Sequence, residues 1–355
     1  MEIFVNFFKQ IVLVSTVLFS QVCFASICVN KSTNLEMKAG VLAHGHELAF
    51  QDSNFYDYQL FSANNDAEFA AWIQKNTPGA CSLVLGLFTS RECLIAGPIL
   101  MENKTIGISF ICGHDDVAKF FPYIYTATPP ISKAERFITD YLNKQPNLGK
   151  VFAVYQPTDI YSEGEFSQFK KMFAKPVEEV QVQSDGKFDI SKISYRKGEP
   201  ITFVFFVYPL PSVKILVELS NHQLITKDTN IVGASSWSDD IAMLKPIKLI
   251  LEKANKVIAL DVLDWKKIKD SAFAKKFITL YNRNPTNVEI LEYDITKFAV
   301  KCYRQSFVNK KYNINLFRGC MLRNKYHGIS GTFSFSEKSP FAERRLYLIN
   351  LLDLM

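Results

Sequence analysis

The sequence predicts an α/β fold: two doubly wound lobes of mostly parallel sheet, joined by a hinge of several crossing strands. Three observations lead there. Short apolar runs of strand length alternate with helical stretches, the pattern of parallel strands with crossover helices. The alternation occurs twice along the 355 residues, each time with its own buried strands. Extended segments, PYIYTATPP (Pro122–Pro130) and VIALDVLD (Val257–Asp264), separate the two series.

Residues 1–25 read as a secretory signal. Lys9 precedes the apolar run Ile11–Phe19, and Cys23-Phe24-Ala25 offers a cleavage site before Ser26. A first strand is expected at Ile27–Asn30 and a helix at Leu35–Phe50. His44 and His46 in that helix are two apart and do not share a face, so no metal site is expected there. Tyr58–Phe61 reads as a strand, and Asp66–Gln74 as a helix stopped by Pro78-Gly79. In Ser82–Ser90, Leu83, Val84, Leu85 and Leu87 give the unbroken apolar run of a strand covered on both faces. Thr89 and Glu92 have capping-box spacing. With Thr89 as N-cap, Ser90 lies in the first helical turn, where N–H groups and the helix dipole favour a small anion. Capping alone accounts for the same residues. Thr105–Cys112 is a further buried strand, leading to Gly113.

After the first crossing, Ser132 and Glu135 have capping-box spacing and open a helix. Lys150–Tyr155 starts the second series, with a helix from Tyr161 that Ser162 and Glu165 would box. Val177–Val182, Ile201–Tyr208 and Asn230–Gly233 read as strands, with a helix at Val213–Ser220. Past the second crossing, Phe273–Tyr281 and Val288–Gln305 read as helices. Gly328–Phe335 and Leu346–Asn350 look like a final hairpin. These boundaries give residues 26–128 plus 257–325 to one lobe and 129–256 plus 326–355 to the other.

Composition narrows the function classes. Hydrophobic residues are 48% of the chain, with 30 Phe and 15 Tyr, so a large core is available and disorder is not expected. A net charge of +6 without dense basic clusters argues against nucleic acid as a partner. Removing the signal leaves six cysteines, an even number in an exported chain, which suggests disulfides. Six cysteines allow 15 pairings, so the residues alone leave the choice open, free thiols included. There is no CxxC, G-x-S-x-G, H-E-x-x-H or P-loop, and the five histidines are scattered. No catalytic residue, metal or cofactor is therefore expected. His114 beside Asp115 is the one spot that suggests a base, and a loop hydrogen bond explains it as well.

Several segments in order resemble the type I periplasmic binding proteins, especially the branched-chain amino-acid (Leu/Ile/Val) substrate-binding proteins of ABC importers. They are GHELAFQDSN (Gly45–Asn54), LVLGLFTS (Leu83–Ser90), PYIYTATPP, VFAVYQPTDIYSEG (Val151–Gly164) and FVYPLPS (Phe206–Ser212). IVGASSWSDD (Ile231–Asp240), EYDITKFA (Glu292–Ala299) and GISGTFSFSEKS (Gly328–Ser339) complete the set.

The resemblance implies a hinged, monomeric receptor that closes on a small solute, such as an amino acid, and delivers it to a membrane ABC permease. It puts Ser90, beside Thr89, where a serine binds the ligand carboxylate, and Cys112 and Gly113 on a loop whose backbone faces that group. Tyr161 and Tyr208 match two tyrosines of the cleft in the second lobe, although packing explains either. Ser235 stands where amino-acid-binding members carry an acid for the ligand's ammonium, and Asp239 or Asp240 lie further along the loop. The usual glycine-rich loop after the first strand is replaced by Asn30–Asn34, where Ser32 or Thr33 would have to reach the cleft. The same topology suggests the pairs Cys93–Cys112, Cys28–Cys81 and Cys302–Cys320. The alternative use of this fold is a periplasmic sensor or envelope regulator that binds a partner protein without transport, which the missing acid favours.

Overall fold

The computed structural model describes residues 26–31, 44–196, 198–239 and 241–355. The signal segment, Ser32, Thr33, Asp240 and the first part of the Leu35–Phe50 helix lie outside the described residues.

Lobe I is built on an eight-stranded sheet. Its parallel part comprises β1 (Ser26–Asn30), β2 (Tyr58–Phe61), β3 (Cys81–Leu87), β4 (Ile106–Ser109) and β5 (Ile124–Thr126), in the order β2-β1-β3-β4-β5. Lobe II has β6 (Lys150–Tyr155), β7 (Glu178–Gln181), β8 (Ile201–Phe205), β9 (Thr229–Gly233) and β10 (Lys256–Asp261), ordered β7-β6-β8-β9-β10. Both are doubly wound, and in each the strand order reverses beside the first strand, at β1/β3 and β6/β8. Crevices for ligands open at the carboxyl ends of strands at such points.

Helices cover both faces of each sheet: α1 (His44–Asp52), α2 (Asp66–Asn76), α3 (Ser90–Glu102), α4 (Ile131–Asn143), α5 (Ile160–Met172), α6 (Pro209–Asn221), α7 (Ala272–Tyr281), α8 (Asn287–Arg304) and α9 (Ile314–Arg323). Alternate residues of β3 feed two cores: Leu83 and Leu85 pack with Leu48 and Leu291, Val84 and Leu87 with Phe69 and Leu100. That is why β3 is apolar throughout and buried at every position. Gly86 breaks the run because its φ is +79° and a Cβ there would stand 2.5 Å from the Asn30 carbonyl. Lobe II repeats the scheme, with Phe152 and Phe203 on one side and Val151 and Val204 on the other. The three disulfides join Cys28 to Cys81, Cys93 to Cys112 and Cys302 to Cys320, the pairs implied by the resemblance.

Four expectations are corrected. The final hairpin does not form. Instead, past a short antiparallel ribbon of β11 (Phe307–Val308) and β12 (Lys311–Tyr312), β13 (Tyr326–Gly328), β14 (Gly331–Ser336) and β15 (Ser339–Arg344) make an antiparallel set that extends the lobe I sheet through β15 and β5, while β16 (Tyr347–Asn350) pairs with β10. Residues 326–344 therefore belong to lobe I, and Val257–Asp261 to lobe II. The pairing partner of a strand is a long-range matter that local alternation does not record. The strand expected at Thr105–Cys112 stops at Ser109, whose hydroxyl accepts from the Ile111 and Cys112 N–H groups and turns the chain. Neither lobe II capping box forms. The α4 N-cap is Pro130, and Ser132 bonds instead to Asp115 of lobe I through both its N–H and its hydroxyl. The α5 N-cap is Asp159, which accepts from the Ser162 N–H. Glu135 and Glu165, freed from capping, turn inward and are buried.

Three crossings link the lobes: β5 to α4, β10 into Val262–Asp264, and Arg344 to Tyr347. Arg344 ties them together. Its guanidinium is buried and donates to the Ala127 carbonyl of the first crossing at 2.9 Å and to the Ser330 carbonyl at 2.6 Å, and approaches the Val262 carbonyl of the second at 3.5 Å.

Candidate functional site

The carboxyl ends of both sheets face a small cavity of about 60 Å³ with mixed polar and apolar walls. From lobe I it receives the turn after β3 and the loop after β4. Thr89 caps α3 as expected: its hydroxyl accepts from the Glu92 N–H at 3.1 Å, and Glu92 accepts from the Thr89 N–H at 2.9 Å. Burial nevertheless pushes the Glu92 carboxyl up to about 7. Ser90 is thereby fixed in the first turn with its hydroxyl in the cavity wall, accepting from the His114 N–H at 3.2 Å. Phe88, Ile111 and Gly113 complete this side. Cys112 does not line the cavity. Its thiol is spent in the disulfide, its N–H goes to Ser109, and its carbonyl accepts from Thr126, so the expectation of backbone groups from Cys112 is corrected to Gly113 alone. His114 is a loop hydrogen-bonder: its Nδ1 accepts from the Asp116 N–H.

Lobe II supplies Tyr161 and Tyr208, stacked with ring centres 5.4 Å apart, and Ser235, Ser236, Ser238 and Asp239 from the turn after β9. That turn is held by Trp237, whose indole N–H donates to the Val207 carbonyl at 3.0 Å. Gly233 must lack a side chain, since a Cβ would stand 2.4 Å from the Trp237 ring. The structure brings together Thr89, Ser90, Gly113, Tyr161, Tyr208 and Ser235, all expected from the sequence.

Of the three acids that line the cavity, sequence reasoning named Asp239 and missed Glu165 and Asp261. Glu165, one turn beyond Tyr161 on α5, is in the cavity wall; its Oε1 accepts from the Tyr161 hydroxyl and from Ser235 at 3.3 Å. Burial raises its carboxyl to about 8, and raises that of neighbouring Glu135 on α4 as well, where the charge of Glu165 adds to the effect. The i, i+4 spacing from Tyr161 was a signal for Glu165 on the same helix face. Asp261, at the end of β10, also lines the cavity. It is held by the Val262 and Leu263 N–H groups, the Trp265 indole and Asn287, and burial raises it to about 6. The lobes are drawn together over this cavity: Asp115 of lobe I holds Ser132, and a Cβ on Gly164 of α5 would stand 3.2 Å from the His114 ring. A wider groove of about 720 Å³ adjoins it, sharing Ser238, Asp239 and Asn287. Among the described residues no cluster of metal-ligating side chains occurs, and no helix is long and apolar enough to cross a membrane.

No protein-family model matches the chain, and no curated protein sequence matches it. Solved structures do. The branched-chain amino-acid transporter substrate-binding protein LivJ from Streptococcus pneumoniae, in complex with isoleucine, superposes with a TM-score of 0.75 at 19% identity, over 92% of this chain and 97% of that one. A solute-binding protein of an ABC transporter from Rhodopseudomonas palustris, in complex with 3,4-dihydroxybenzoic acid, has a TM-score of 0.75 at 14% identity, over 92% of each chain. The leucine-binding protein LivK from Thermotoga maritima has a TM-score of 0.70 at 14% identity, over 91% and 94%.

Proposed function

From a chain with the two-lobe fold of the type I periplasmic binding proteins, we infer that the protein is an exported solute-binding protein. It captures a small polar solute, an amino acid or a relative of one, between its lobes and presents it to an ABC permease in the membrane. The observation that carries this reading is the cavity between the carboxyl ends of the two sheets, walled by Ser90 at a helix N-terminus on one side and by Tyr161, Tyr208 and Ser235 on the other.

The mechanism is binding without chemistry. A carboxylate at Ser90 meets the N–H groups and dipole of a 13-residue helix. The tyrosine faces stack over the apolar part of the solute. Contacts from both lobes exist together only in the closed form, so the solute shifts the equilibrium towards closure, and the closed form is the one the permease reads. Fold neighbours hold isoleucine, leucine or an aromatic acid, which supports a solute with a carboxylate.

A thermal-shift screen of the purified protein against amino acids, amides, short organic acids and polyamines tests the reading. A solute at about 100 times its dissociation constant stabilises the fold by roughly 2.7 kcal/mol, and Ser90→Ala should abolish the shift for a carboxylate-bearing one. The small cavity volume, about 60 Å³, favours a second reading, a sensor or envelope regulator that binds a partner protein. A flat screen on well-folded protein selects that one.

A further inference from the structure

The cavity walls hold acids and no base. Glu165, Asp239 and Asp261 line it, and among the described residues no lysine, arginine or histidine does. The three acids differ in what they have left to offer. Asp261 is committed to four donors of the second crossing and of α8, and Asp239 has contacts of its own. Glu165 has one oxygen held by Tyr161 and Ser235, while Oε2 is buried and has no partner. Behind it on α4, Glu135 is fully buried, and neither of its oxygens has a partner. Three buried carboxyl oxygens, one on a residue of the cavity wall and two on the helix behind it, thus have no partner.

Leaving buried acceptors unpaired is destabilising, and native folds leave few of them. An ammonium group brings three N–H donors and a positive charge, which is what this cluster lacks. A lone cation in the cavity would in turn lose its hydration, which an anionic partner has to replace.

We propose that the solute is a compact primary-ammonium compound whose charged head is held by Glu165. The acid for the ammonium then comes from the second turn of α5 and not from the loop after β9, where Ser235 stands. Ser235 and Tyr161 become positioning residues that hold Glu165 Oε1 and leave Oε2 for the ligand. The cavity, about 60 Å³ against roughly 150 Å³ for one that takes benzene, restricts the solute to a small one in this closed form. This inference rests on the solute-binding reading above.

Calorimetric titration with matched pairs tests it: glycine against glycolate, L-alanine against L-lactate, ethanolamine against ethylene glycol, with putrescine and 4-hydroxybenzoate as further probes. At least one ammonium compound should bind, its hydroxyl counterpart at least about 100-fold more weakly, as for removal of one partner of a buried charge pair. Glu165→Gln should weaken the ammonium compound by a similar factor. The pairs decide on the unaltered protein, so a poorly folded variant does not blunt the test. Equal affinity within a pair, binding of 4-hydroxybenzoate alone, or unchanged affinity in a folded Glu165→Gln protein overturns the inference and leaves solute binding standing. No binding by any probe removes the solute-binding reading, and this one with it.

Discussion

Arg344→Met removes the guanidinium that reaches the first and second crossings from the third and that sits over the Phe333 ring. The magnitude follows from the contacts. Two charge-assisted bonds are lost, to the Ala127 and Ser330 carbonyls, each contributing about 1.5–3 kcal/mol. The longer approach to Val262, 3.5 Å, adds little. Against this, burial disfavours the guanidinium cation and lowers its pKa to about 10, so its removal returns a few kcal/mol at most. The abandoned carbonyls are buried, however, and each is left short of a donor at about 1–3 kcal/mol. The net expectation is a destabilisation of roughly 3 kcal/mol. Arg344→Lys, with one ammonium in place of a planar fork, cannot serve both the Ala127 and the Ser330 carbonyls and should lose about half of that. Urea unfolding followed by circular dichroism at pH 7 measures both. A loss below about 0.5 kcal/mol for the methionine variant, or a lysine variant as stable as the parent, would refute the reasoning that this side chain fastens the hinge.

Other expected outcomes are as follows. Thr89→Ala removes the acceptor for the Glu92 N–H and should cost about 1 kcal/mol in the same unfolding assay; no change would mean Ser90 is held by packing alone. Reduction and alkylation of the protein should raise its intact mass by two modified thiols per bridge at Cys28–Cys81, Cys93–Cys112 and Cys302–Cys320, and an oxidised sample that already labels at these cysteines contradicts the pairing. Glu165 stays protonated in the fold to about pH 8 but ionises near 4.5 when unfolded. Its contribution to stability is thus present below about pH 4.5 and lost as pH rises to 8. Without ligand, Glu165→Gln should gain on the parent by on the order of 3 kcal/mol between pH 5 and pH 8. Glu135, Asp159 and Tyr161 face the same carboxyl and remain in both proteins, and a pH-independent difference would show that Glu165 is not protonated in the fold.

Local pattern decided most of the architecture. The apolar run of β3, the Thr89–Glu92 capping box and the repeated strand–helix alternation depend on neighbours within a few residues, and the structure bears them out. Sequence reading also assembled the cavity wall from Ser90, Gly113, Tyr161, Tyr208 and Ser235, because those residues sit at strand ends, where a doubly wound sheet opens. What it could not decide was the fate of groups with two local uses. Glu135 and Glu165 have the spacing to cap helices, yet Pro130 and Asp159 start those helices earlier and the two carboxyls face inward. Strand β14 alternates as a hairpin strand would, but its partner is β15, and β16 crosses to the other lobe. Capping and alternation are short-range signals. Which strand edge is vacant, which crossing Arg344 can reach, and whether an acid ends in solvent or in a cavity depend on surfaces brought together from 70 to 217 residues apart, and only the folded chain settles them.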